Sequence, residues 1–352
     1  MTATTLANLT LGPDGPPVSA LGIGTWALGG PFTFDGRDAG WGDVDDEESI
    51  RAVHAALDRG VTLIDTAPTY GTGHSERIVG RALAALPDAA RARVRIATKF
   101  GLRIDEASRT GGGTDVRPAT IRAECDASLR RLGVDAIDLY QLHGGAESPT
   151  LAEDAVATCE DLVATGKINY FGTGQDDDET LEIFARSPHC VAVQTQANVF
   201  GWSSRVLETA RRYGLAVLAR SPLAMGLLSG KYNALNQPAT GDVRLDTPWW
   251  TYFDEGSMQD WLRRLQSVRE LLTTGGRTLV QGSLGYLWAL DSAIIPLPGV
   301  RTTQQAVENT EALAFGPLPA DARRSHVSAG SIPTASPVPS RRLLGQHACA
   351  PW

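Results

Sequence analysis

The stretch PATIRAECDASLRRLGVDAIDLYQL (Pro118–Leu142) holds one complete helix-to-strand unit. Pro118 suits a first helical turn, where its missing N–H and fixed φ cost nothing. The run to Leu132 reads as a helix, Gly133 stands where a left-handed stop is wanted, and Ile137–Leu142 reads as a strand. The connection between them is short, as compact α/β units prefer. Working outward, the same rhythm recurs. Strands are expected at Leu21–Thr25, Val61–Asp65, Val94–Thr98, Ile168–Gly172, Val191–Gln194, Leu215–Ala219 and Ala293–Pro296. Helices are expected at Asp46–Arg59, Ser75–Ala85, Leu151–Thr165, Glu179–Arg186 and Arg205–Tyr213, with Gly60, Gly166 and Gly214 as further stops. Counting Ile137–Leu142, there are eight strands, the number that closes a (β/α)8 TIM barrel, although an open doubly wound sheet has the same periodicity.

Three longer segments interrupt the repeat: Pro31–Asp43, Phe100–Arg117 and Leu223–Gly256. If they follow strands, they are long βα loops at the C-terminal face, where barrel enzymes build their pockets. Trp26, Trp202, Trp249 and Trp250 are candidates for the pocket wall or for packing. From Pro317 the chain turns to Pro, Ser, Ala and Arg without a sustained period, so the barrel is assigned to 1–316 and a poorly ordered tail to 317–352.

Of the 352 residues, 42% are hydrophobic and 20% charged, and the net charge is −8. That balance suits a folded α/β chain and argues against nucleic acid as a partner, since a polyanion needs a basic footprint. Cys125, Cys159, Cys190 and Cys349 show no CxxC spacing and are expected to be reduced and packed. The first residues lack the pattern of a secretory signal, and no apolar run is long enough for a membrane span, so a cytoplasmic protein is expected. Neither His54 nor His189 has a partner at ligand spacing, and no metal site is expected.

The chemistry is concentrated at three strand ends. Asp65 closes one strand and is followed by a turn carrying Tyr70, Lys99 ends the next strand, and His143 follows the third. Reduction of a carbonyl needs a proton for the oxygen as hydride reaches the carbon. A phenol near pKa 10 is a sluggish donor unless its phenolate is stabilised. A Lys ammonium does that, a carboxylate holds the Lys, and His orients the carbonyl by hydrogen bonding.

Here the sequence resembles the aldo-keto reductase superfamily. The resemblance is carried by Gly22-Ile-Gly-Thr-Trp26, the Asp65-Thr-Ala-Pro-x-Tyr-Gly-x-Gly-x-Ser-Glu76 run, Thr98-Lys99 and Asp138–His143. It continues through Gly166–Gly172, Gln194–Asn198, Ser221–Leu223, Gly226–Tyr232 and Pro298–Asn309, covering about residues 18 to 313. It implies Tyr70 as general acid, Lys99 and Asp65 as its tuning pair, and His143 as carbonyl orienter. It also implies a cofactor, NADPH with NADH as an alternative, bound without a Rossmann Gly-x-Gly-x-x-Gly. Gly24, Thr25 and Trp26 belong to that cofactor side, with Gln194 at the carboxamide and Ser221, Leu223 and Gly226 near the pyrophosphate. Gly299, Arg301, Gln305 and Asn309 are implied at the adenosine end, with Arg301 on the 2′-phosphate.

Three positions depart from the family pattern. Gly174-Gln175 replace a common Ser-Asn, which either weakens the carboxamide contact or passes it to Gln175. Arg220 stands where an aromatic ring often stacks on the nicotinamide, and Ala197 where a Tyr is common. No Tyr is followed by Lys four residues later, which excludes the short-chain reductase arrangement. The expected function is NADPH-dependent reduction of an aldehyde, ketone or keto-sugar, with a small-molecule carbonyl or sugar as substrate and neither nucleic acid nor membrane as partner. The alternatives are an NAD(P)-dependent sugar or alcohol dehydrogenase, and a cofactor-sensing regulatory subunit.

Overall fold

The computed structural model describes residues 6, 8–175, 177–233, 235–239, 241–245, 250–254 and 256–319. Eight parallel strands follow one another around a ring: β1 Gly22–Gly24, β2 Leu63–Asp65, β3 Arg95–Phe100, β4 Ile137–Leu142, β5 Ile168–Thr173, β6 Cys190–Gln196, β7 Ala216–Arg220 and β8 Ile294–Pro296. Each matches a strand expected from sequence, within two residues at either end. The ring closes where Gly24 N–H donates to Pro298 O (3.0 Å) and Val300 N–H to Gly24 O (3.1 Å). The fold is therefore the (β/α)8 barrel, and the open sheet is set aside.

Helices α1 Asp46–Leu57, α2 His74–Ala84, α3 Pro118–Leu132, α4 Pro149–Ala164, α5 Asp178–Ala185 and α6 Ser204–Tyr213 cover the strands. Three more complete the ring: α7 Met258–Leu272, α8 Leu279–Leu290 and α9 Thr303–Phe315. Their starts are chemically marked. Asp45 caps α1 through the N–H groups of Glu47 and Glu48, and Thr278 and Gln281 form a reciprocal capping box on α8. No helix among the described residues is long and apolar enough to cross a membrane.

Strand alternation builds the barrel interior in layers. Leu63, Ala97, Leu139, Ala192, Leu218 and Ile295 form an apolar layer, closed below by Leu11 and Val18 of the hairpin Leu9–Thr10/Pro17–Val18. Two residues further along the same strands come Asp65, Lys99, Gln141, Gln194, Arg220 and Leu297. The inward positions thus switch from apolar to polar at the C-terminal rim.

Two of the expected loops are not irregular. Thr33–Phe34, Arg37–Asp38, Leu102–Asp105 and Thr110–Thr114 form a small sheet of their own. Gly111 and Gly112 allow that approach, since a Cβ on either would sit within 2.8 Å of Phe34 or Asp35 side-chain atoms. Past α9, Leu318 is buried and its N–H donates to Gly285 O (2.9 Å), while residues 320–352 lie outside the described residues. Cys125, Cys159 and Cys190 are buried free thiols; Cys349 lies outside the described residues.

The rim after β3 is held by an acid on α3. Glu124 Oε2 accepts the Gly101 N–H (2.8 Å), and burial pushes its carboxyl up to about 7, with Asp115 and Glu76 adding to the rise against Arg131. Between 4.5 and about 7 the folded protein holds a proton that the unfolded chain has lost, so this group lowers stability as pH rises through that interval. Glu124→Gln keeps an acceptor for Gly101 and removes the penalty. Thermal unfolding should show the variant more stable than wild type at about pH 8, by at most roughly 3 kcal/mol, and close to it at about pH 5.

Candidate active site

The turn after β2 is built to present Tyr70. Thr66 N–H continues the sheet to Ala97 O (2.8 Å), and Tyr70, Thr72 and Gly73 then fold back onto Ala67, Thr69 and Pro68 carbonyls. Gly71 is required here. Its φ is +64°, and a Cβ would lie 1.8 Å from Gly29 O. Helix α2 is pinned from behind by Glu76, which accepts from Thr98 Oγ1 (2.6 Å) and from Arg131 Nε (2.6 Å). Thr98 points outward to that anchor, so the next residue, Lys99, points inward.

Lys99 Nζ lies 2.7 Å from Asp65 Oδ2, 2.9 Å from Thr66 O and 3.0 Å from Tyr70 Oη, satisfying the three donors of an ammonium. Asp65 uses its other oxygen to accept from Gln194 Nε2 (2.9 Å) and Gln141 Nε2 (3.1 Å). Only 2% of the Lys99 side chain and 5% of the Asp65 side chain are exposed, so this ion pair is nearly dry. Burial works against the ammonium, but Asp65 and then Tyr70 outweigh it and hold Lys99 above its ordinary pKa. The Tyr70 phenol goes up: burial raises it most, Lys99 pulls it down, and Asp65 adds to the rise. His143, its ring set edge-on to Tyr70 at 6.0 Å, is pushed well below 6.5 by burial first, then by the charges of Lys99 and Arg220. It is a neutral imidazole across the physiological range.

These groups sit at one end of a cavity of about 410 Å³ that runs from Tyr70, Lys99 and His143 past Ser221, Leu223 and Gly226 to Arg301, Gln305 and Asn309. Trp26 forms its wall beside the phenol, stacked at 6.0 Å and 23° on Tyr70, with Trp41 and Trp250 edge-on to it at 5.3 and 5.8 Å. Trp202 packs instead near Tyr286, and Trp249 lies outside the described residues. Ser221, Ala224, Met225 and Gly226 all have positive φ, an unusual backbone run of the kind that concentrates at binding sites.

Gly24, Trp26, Gln194, Arg220 and Gly299 also line the cavity. Thr25 and Gln175 do not. Thr25 is fully buried, its hydroxyl donating to Asp65 O (3.0 Å), while Gln175 Nε2 donates to His143 O (2.8 Å), so both hold the site from outside. Gly174 takes the wall position. Gln194 reaches the cavity with its amide N–H already given to Asp65. Arg301 donates from Nη1 to Trp41 O (2.8 Å) and from Nη2 to Asp43 O.

Sequence reasoning missed three residues. Gln141 was legible, being a polar residue two places after inward Leu139. Trp41 and Arg244 were not, because long loops deliver them. Arg244 is buried against Trp41, Tyr232 and Phe253, bonded to Asp242, and lines the cavity with Lys231 where Gly226 approaches.

A family model, the aldo/keto reductase family, matches residues 20–325. The chain belongs to that family. It is an NAD(P)H-dependent oxidoreductase of the carbonyl–alcohol type. It is 30% identical to the NADH-specific methylglyoxal reductase of Escherichia coli K12 over 90% of this chain and 96% of that one. It is 32% identical to the aldo-keto reductase YhdN of Bacillus subtilis over 83% and 84% of the two chains. In three dimensions it resembles the glycerol dehydrogenase of Gluconobacter oxydans, with a TM-score of 0.75 and 33% identity over 92% of this chain and 94% of that one.

The dry ion pair makes a direct prediction. Lys99→Met leaves Asp65 charged and buried beside two glutamine amides only, and urea unfolding at neutral pH should show a loss of about 3–5 kcal/mol. Adding Asp65→Asn to that variant should recover part of it.

Proposed function

We propose that this reductase interconverts a small aldehyde, ketone or keto-sugar with its alcohol, using Tyr70 as the proton donor. The observation that carries the reading is the Lys99 nitrogen bonded at once to Asp65 and to the Tyr70 hydroxyl at the end of the cavity. The relatives named for methylglyoxal reduction and glycerol dehydrogenation agree with a small carbonyl or polyol.

The cavity's chemistry suits a nicotinamide dinucleotide: it is elongated, opens from the Tyr70 end over an irregular backbone run, and carries Lys231 and Arg244 midway for a pyrophosphate. Such a cofactor supplies a hydride to the carbonyl carbon when bound. Burial keeps the Tyr70 phenol protonated at neutral pH, so the proton is present when needed. As it leaves for the carbonyl oxygen, the Lys99 ammonium stabilises the phenolate, and Asp65 with its two glutamine donors keeps Lys99 from moving. Neutral His143 presents a ring N–H to the same oxygen without competing for the proton. Trp26 narrows the approach beside Tyr70 and excludes water from that side. In the oxidative direction the same groups run backwards, with Tyr70 accepting the alcohol proton.

Tyr70→Phe removes the donor and leaves the ring. With a carbonyl panel including methylglyoxal and 4-nitrobenzaldehyde, kcat should fall by about 10² to 10⁴ with little change in KM. Equal turnover by wild type and variant would contradict the reading. Because His143 is held neutral, kcat/KM for reduction should be flat from about pH 6 to 8. An inflection near the ordinary histidine value, absent in His143→Asn, would contradict its assignment.

A further inference from the structure

The reacting end of the cavity carries a cation that the proton transfer itself does not use. Arg220 closes β7 at the inward position of the layer that also holds Asp65, Lys99, Gln141 and Gln194, and it lines the cavity beside Ser221. Its backbone is fixed on both sides. Ala197 N–H donates to Arg220 O (3.3 Å), and Asn198 Nδ2 donates to Ser221 O (3.1 Å), where the chain turns through positive φ. Among the described residues on the wall at this end, Asp65, Lys99 and Arg220 bear charge at neutral pH, and the first two answer each other at 2.7 Å. The influence of the guanidinium reaches past its own contacts. Burial acts most strongly on Tyr70 and His143 and Lys99 next, and the Arg220 charge then favours the Tyr70 phenolate and disfavours the His143 imidazolium.

The reaction fixes what must stand beside these groups. Hydride and proton go to neighbouring atoms of one carbonyl, so a hydride donor has to lie against the Tyr70 end. A nicotinamide ring is neutral when reduced and positively charged when oxidised, while the remainder of the dinucleotide is the same in both forms. A fixed cation on the wall therefore treats the two forms differently.

We propose that Arg220 makes this site hold reduced nicotinamide more tightly than oxidised, so that the chain loads as a reductase from a mixed pool and releases the spent cofactor readily. This rests on the reading above that the cavity holds a nicotinamide dinucleotide, with its ring beside Tyr70. The aromatic ring that the family often has at this position offers a face and no net charge, whereas a guanidinium offers both. Within the hydride step the charge works in two directions, against the ring that becomes cationic and for the phenolate that Tyr70 leaves. Once Tyr70 has regained a proton from solvent, only the penalty on the oxidised ring is left.

The test is equilibrium binding to the full chain without a carbonyl substrate. Dissociation constants of NADPH, NADP⁺, NADH and NAD⁺ are measured by calorimetry for wild type, Arg220→Gln and Arg220→Lys. In each pair the reduced form should bind wild type several-fold more tightly, and Arg220→Gln should narrow that ratio by about three- to tenfold. Arg220→Lys keeps a charge without the planar face and should keep most of the ratio. Because the charge difference resides in the ring, the phosphorylated and unphosphorylated pairs should shift together. Oxidised cofactor binding wild type as tightly as reduced, an unchanged ratio in Arg220→Gln, or the same narrowing in Arg220→Lys overturns the proposal. If none of the four nucleotides binds, the dinucleotide reading of the cavity falls, and the proposal with it.

Discussion

A buried ion pair, Asp65 to Lys99 at 2.7 Å, is the constraint around which this site is organised. Two charges removed from water are costly, and the pair is tolerated because each lone pair and proton finds a partner: Thr66 O and Tyr70 Oη for the ammonium, Gln141 and Gln194 for the carboxylate. The pair and its partners come from four strands and one loop, so the ion pair also fixes how β2, β3, β4 and β6 meet at the rim. The arrangement that satisfies the buried charges is the one that places a cation against the phenol.

Chemistry is graded along the cavity. At the reacting end burial, then Lys99 and Arg220, depresses His143, while burial keeps Tyr70 protonated, so both side chains stay neutral where a polar carbonyl must be received. Lys231 and Arg244, the latter paired with Asp242, bring cations to the middle, and Arg301 and Glu308 bring one charge of each sign to the far end. Such a gradient suits a long ligand that carries its negative charge at the centre. It is produced by long loops as much as by the barrel, because Trp41 meets Trp26 and accepts from Arg301, joining the two ends of the cavity through one segment.

Much of this was legible in the sequence because barrel strands have a simple grammar. Eight apolar runs in alternation with helices, several of them stopped by glycine, located every barrel strand, and three charged or titratable residues at consecutive strand ends had to converge on one rim. Polar residues two places after an inward apolar one mark the same layer, which brings in Gln141. Other parts were hidden for physical reasons. Helix α8 is buried on nearly all sides and has no polar stripe to reveal its period. The small sheet at 33–38 and 102–114 uses strands of two to five residues with glycines in its closest contact. Arg301 was placed correctly on the cavity, but the partners of its guanidinium depend on how residues 41–43 fold across it. Thr25 and Gln175 fall one step outside the wall because each turns its polar group to the protein backbone.

The central claim is that the Lys99 cation acts on the Tyr70 phenol. It is tested most directly by following the ionisation of Tyr70 itself, with ring-labelled tyrosine and NMR across alkaline pH, in the wild type and in Lys99→Met. If the ammonium stabilises the phenolate, removing it shifts Tyr70 ionisation to higher pH. A titration that stays in place, or moves lower, contradicts the account.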